Sequence, residues 1–86
     1  MQYQFYDLKN ISAGKIVEVQ LEYAANVRVM DRTNYLKFKA GTRYKFMGGY
    51  VKQSPFRAEI PRTGHWYVVV DLGGYSGKVK SAVRVL

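Results

Sequence analysis

The sequence predicts an all-β, mainly antiparallel domain: a compact, jelly-roll-like β-sandwich or squat barrel of about seven strands with one short helix. Three observations carry this. Apolar and polar residues alternate with period two through most of the chain, as strands buried on one face require. Turn signals rich in Gly and Pro separate the alternating runs. The 86 residues suit a single domain spanning 1–86, and no repeat, linker or shift in composition divides them.

Taken in order, Tyr3 and Phe5 alternate with Gln2 and Gln4, and a helical turn is expected at 8–12. "SAG" at 12–14 marks a turn, after which Val17, Val19 and Leu21 alternate with Glu18, Gln20 and Glu22. Val27 and Val29 flank Arg28 in the next strand. The segment "DRTNYLKFKAG" breaks the alternation. It offers Asp31 or Thr33 as an N-cap and Gly41 just past the end, which predicts a helix over 33–39. Tyr44 and Phe46 then alternate with Arg43 and Lys45, and "MGG" at 47–49 reads as a turn. Phe56, Ala58 and Ile60 alternate with Arg57 and Glu59, and "PRTG" at 61–64 is the next turn. "HWYVVVDL" is apolar on both faces up to Asp71, which predicts a central strand. "GGYSG" at 73–77 and the run with Val79, Val83 and Val85 opposite Lys78, Lys80 and Arg84 read as the second half of a closing hairpin. The expected core comprises Trp66, Val68, Val70, Phe46, Val17 and Val19.

There is no Cys, so disulfides and thiolate zinc sites are excluded. The start "MQYQFYDLKN" lacks the basic and apolar regions of a signal peptide. "WYVVV", the longest apolar run, is far too short to span a bilayer. The expectation is a soluble, cytoplasmic protein with no membrane insertion. Lys and Arg number 14 against 6 acids, a formal net charge of +8. Such a field attracts polyanions, and it also serves solubility.

The blocks "YDL" at 6–8, "GKIVEVQL", "AANVRVMD", "NYLKFKAG", "YKFMGGYVKQSP" and "GHWYVVVDLGGYSGKVKSAVRVL" support a resemblance. Over nearly its whole length the chain resembles the bacterial domain-of-unknown-function family numbered 1883. The resemblance implies a small β-rich domain. Some members stand alone, and others form the front module of longer bacterial proteins, including ones carrying TIR-type effector domains. It implies a sensing or interaction module in bacterial defence or signalling, and it brings no catalytic residues.

Catalytic and metal motifs are weak. His65 and Asp71 lie six residues apart on one strand, about 20 Å, too far for a base and its orienting carboxylate. "GYSGK" breaks the nucleophile-elbow pattern, and "GGYSGK" is one residue short of a phosphate-binding loop, with Val79 where Ser or Thr is needed. One His and scattered carboxylates offer no metal-ligand spacing. The chain is therefore expected to be neither an enzyme nor a cofactor carrier.

Two candidate sites remain. The first is a ligand pocket formed by His65, Tyr67, Tyr50, Ser54 and Asn34, with His65 as a titratable handle. The second is a polyanion stripe of Lys37, Lys39, Arg43, Lys45, Lys52, Lys78, Lys80 and Arg84. Single-stranded nucleic acid needs exposed aromatic faces beside such cations. In "RYKFM" alternation sends Tyr44 and Phe46 to the face opposite Arg43 and Lys45, which argues against stacking and leaves binding by charge alone. The leading expectation is a non-enzymatic interaction module for a protein partner or a small anionic ligand, with self-association through edge strands. The alternative is sequence-independent nucleic-acid binding through the basic stripe.

Overall fold

A computed structural model of the chain describes residues 3–73 and 79–86. Seven strands and one helix follow in the order β1 (Tyr3–Ile11), β2 (Ile16–Leu21), β3 (Ala25–Asp31), α1 (Arg32–Ala40), β4 (Met47–Val51), β5 (Phe56–Glu59), β6 (Gly64–Asp71) and β7 (Ser81–Val85). They form a four-stranded sheet, β1-β6-β3-β4, and a three-stranded sheet, β5-β2-β7, with every pairing antiparallel. The architecture is a sandwich of two open sheets.

The main core fills the space between the sheets. Val17 and Val19 from β2 meet Val27 and Val29 from β3 and Trp66, Val68 and Val70 from β6. Trp66 keeps its polar edge satisfied, since Nε1 donates to the Arg62 carbonyl at 3.0 Å. The alternate residues of β6 face the other way. There Tyr67 and Val69 join Met30 and Tyr35 in a second, smaller core, sealed by Tyr3, Phe38 and Tyr44. The helix lies over this face. A strand covered on both sides has no polar face, which is why "HWYVVVDL" reads as a continuous apolar run.

Several expectations are corrected. Residues 8–12 form no helical turn: β1 runs through Ile11, and its register with β6 shifts between Asp7 and Asn10, where Lys9 takes a positive φ of 59°. Within β1 the inward phase belongs to Tyr6 and Leu8, while Phe5 points outward. "MGG" is not a turn but the first half of β4. Gly48 sits there at φ 124°, and a Cβ would collide with the Val27 carbonyl oxygen of the neighbouring strand. The expected closing hairpin does not exist as such. β6 lies in the larger sheet and β7 pairs with β2 in the smaller one, so the chain crosses the sandwich between them. Lys78 and most of the expected turn, residues 74–78, lie outside the described residues.

Candidate functional site

The basic, aromatic stretch covers the outer face of the larger sheet, with its helix over β6 and β3 and its strand at the β4 edge. Its geometry starts at the helix cap. The Asp31 carboxylate accepts from the Asn34 backbone N–H at 2.9 Å and from Asn34 Nδ2 at 2.8 Å. Burial pushes the Asp31 carboxyl up, but those bonds and the Arg62 guanidinium outweigh it and hold the group below its ordinary value. Gly41 ends the helix in the left-handed conformation, and Thr42 N–H returns to the Lys37 carbonyl at 3.0 Å. Asn34 Oδ1 then accepts from Lys45 N–H at 2.8 Å. The segment 41–46 is thereby drawn back along the helix.

This path decides which side chains reach solvent. Tyr35 and Phe38 face the sheet, leaving Leu36, Lys37 and Lys39 outward. Tyr44 turns in, edge-on to Phe38 with centroids 5.2 Å apart. Arg43 and Lys45 stay exposed. Phe46 was expected in the core, yet it is 43% exposed. The reason is phase. Residues 43–46 precede the strand, and within β4 the inward positions belong to Met47 and Val51, so Phe46 and Tyr50 fall on the outer face. Tyr50 is 64% exposed. Phe46 and Tyr50 thus reach solvent as the cations do, which for Phe46 is contrary to the alternation argument, while Tyr44 turns away from Arg43 and Lys45 as that argument expects.

Arg28 of β3 lies beneath this surface. Its guanidinium sits 5.8 Å from the Phe38 centroid and 5.7 Å from that of Phe46. It also pairs with Asp71, which is fully buried and accepts from Asn26 Nδ2 at 3.0 Å and from Gly73 N–H at 2.7 Å.

The expected stripe divides in two. Among the described residues, Lys37, Lys39, Arg43, Lys45 and Lys52 form no ion pair with a carboxylate. Lys80 and Arg84 sit elsewhere, because β7 belongs to the smaller sheet. There Lys80 pairs with Glu22 at 3.6 Å, and Arg84 Nε meets Glu18 at 2.6 Å. Glu18 is only 1% exposed and is clasped between Arg84 and Arg57, its register partners on either side. Hydrogen bonds from Arg84 and then from Arg57 hold its carboxyl below the usual range.

The five expected pocket residues do not gather either. His65 Nε2 lies 2.6 Å from Asp7 Oδ1, and its ring stacks on Tyr67 at 4.8 Å. Tyr67 is buried, stacks on Tyr35 at 4.0 Å and accepts from Arg32 Nη1 at 3.0 Å. Tyr50 is at the opposite end of the sheet, paired through Asn26 to the Asp71 level, about 20 Å along β6 from His65. It lines a shallow groove with Ala24, Ala25, Asn26, Leu72 and Gly73. Ser54 Oγ accepts from Leu21 N–H at 2.8 Å, beside the smaller sheet, and Asn34 is engaged in the helix cap. The sequence reasoning missed Asp7 as the partner of His65. The Lys9 backbone N–H first, and His65 after it, keep the Asp7 carboxyl below its ordinary value. No local signal links residues 7 and 65; only the β1–β6 register brings them together.

Among the described residues no helix is long and apolar enough to cross a membrane. Nor do three or more His, Asp or Glu side chains among them cluster as metal ligands would. Comparison with curated proteins and with solved structures found no match. A family model described as a domain of unknown function (DUF1883) matches residues 1–86, the whole chain, and the protein belongs to that family.

Proposed function

We propose that this domain is a non-enzymatic binding module that holds nucleic acid on its α1–β4 face through phosphate contacts, without reading sequence. One observation carries the reading. Lys37, Lys39, Arg43 and Lys45 are exposed together on the helix and the segment beside it, with no carboxylate paired to any of them among the described residues. The six acids lie elsewhere: Asp31 caps the helix, Asp71 is buried against Arg28, Asp7 of β1 meets His65 and Lys9, and Glu18, Glu22 and Glu59 lie with the smaller sheet. Exposed cations with no carboxylate paired to them leave a local positive field of the kind a polyanion site uses. A pocket for a small anionic ligand has less support, because its five expected residues are dispersed. On this reading the protein works in the cytoplasm of a bacterial cell, where nucleic acid is at hand.

The test is fluorescence polarisation with labelled oligonucleotides at about 50 and 200 mM salt. Four phosphate contacts on a duplex predict a loss of affinity of roughly 150-fold between those concentrations. Changing Lys37, Lys39, Arg43 and Lys45 together to Gln is expected to abolish binding and leave the thermal midpoint nearly unchanged. Binding that survives the fourfold change would place the site elsewhere. No binding at the lower salt would leave the net charge as a solubility feature.

A further inference from the structure

We infer that Phe46 and Tyr50 are stacking platforms for unpaired bases, so that the nucleic acid this face takes is single-stranded. The inference rests on the proposed function and narrows its ligand class. Phosphate contacts alone do not distinguish a duplex from a single strand, whereas a ring can stack on a base only where the base is free of its partner. The α1–β4 face supplies rings as well as charge.

Three features favour stacking over accidental exposure. First, Phe46 is held in place. Arg28 lies 5.7 Å from its centroid on one side, and Tyr44 lies 5.7 Å away at a tilt of 38°. Arg28 in turn is fixed by the fully buried Asp71. A ring anchored by such neighbours and still 43% exposed offers a surface at little ordering cost. Second, Tyr50 shares the outer face of β4 with Phe46, and the residue between them on that face is Gly48, which has no side chain to fill the gap. Strand rise puts the two Cα atoms about 13 Å apart. Third, cations bracket the rings along the chain: Lys45 precedes Phe46 directly and Lys52 follows β4, both exposed. Phosphates tracking along these side chains would bring bases over the rings, the arrangement that single-strand grooves use.

Phe5, 55% exposed, lies on β1 at the opposite edge of the larger sheet from β4, with its ring 5.8 Å from Tyr35, the helix ring that Lys39 overlies.

The experiment compares oligo-dT, oligo-rU and a mixed-sequence duplex, each about 15 nucleotides long, in the same polarisation assay at low salt. Wild type is expected to bind both single strands at least tenfold more tightly than the duplex. Phe46→Leu keeps apolar bulk against Tyr44 and Arg28 and removes the aromatic face. Phe46→Leu and Tyr50→Ser are each expected to weaken single-strand binding by about tenfold and to leave duplex binding unchanged. Near-native thermal midpoints for both variants show that the losses are not unfolding. Equal affinity for duplex and single strand, or single-strand binding indifferent to both substitutions, overturns the stacking inference while the phosphate-binding reading stands. Absence of binding to all three probes overturns both. A preference between dT and rU identifies which single strand the face takes.

Discussion

Arg28 and Asp71 meet diagonally across neighbouring strands. Arg28 is registered with Val69 and Asp71 with Asn26, and the ion pair spans that two-residue offset on the face beneath the helix. Asp71 has no exposed surface, and Asn26 and Gly73 N–H occupy one of its oxygens. The other oxygen belongs to Arg28.

Removing Arg28 therefore leaves a buried carboxylate short of its charge partner. Arg28→Met is expected to cost about 3–5 kcal/mol, read as a shift of the urea midpoint. The double change Arg28→Met with Asp71→Asn should recover part of that loss, because no charge is then stranded. Strict additivity of the two single changes would show that the pair is not coupled.

The Glu18 clasp ties three strands of the smaller sheet and gives stability a dependence on acid. Its carboxyl is held below the ordinary value of 4.5, chiefly by Arg84 and then Arg57. A depressed carboxylate contributes its full stabilisation above the unfolded value and loses it as pH falls through the folded one. Glu18→Gln is expected to lower the urea midpoint at pH 7, with the difference from wild type closing as the pH drops below about 4. A gap that stays constant from pH 7 to well below the carboxylate range would mean that charge is not what the site contributes.

Tyr35 governs the alkaline side. Burial against the sheet, and the neighbouring Tyr3 after it, push its hydroxyl up from 10.0 to about 12. The neutral form is the one the fold accepts. Its contribution is complete below about pH 10 and is lost as pH rises through about 12. Stability should fall over that interval, and Tyr35→Phe, which cannot ionise, should flatten the fall. Identical alkaline profiles for wild type and Tyr35→Phe would assign the loss to another group.

How much of this was legible in the sequence depends on whether a feature is local. The helix was readable because its signals are adjacent: Asp31 caps it, Gly41 ends it, and the observed Arg32–Ala40 encloses the expected 33–39. The central strand was readable because a strand covered on both faces cannot hide its composition. Phe46 was misplaced because alternation fixes a spacing but not a phase, and the phase of β4 is set by Met47 and Val51 packing inward. The division of the basic stripe was invisible for a different reason. Lys80 and Arg84 follow a strand of one sheet and enter the other, and nothing in "VKSAVRVL" says which strand they will pair with. His65 and Asp7, and the three-strand row Arg57–Glu18–Arg84, are likewise products of register between distant segments.

The strand order carries a kinetic consequence. Among the described pairings none is a tight hairpin: β1 waits for β6, β2 for β5 and β7, and β3 joins β4 only after the whole of α1 has intervened. Loop-closure entropy must therefore be met before any long-range ladder rewards it, and folding belongs to the millisecond-to-second class of non-local β topologies. During synthesis β2 can pair with β5 on one side, but its other edge stays open until β7 emerges. The basic aromatic face is assembled late for the same reason, since β4 and the helix rest on β3 and β6.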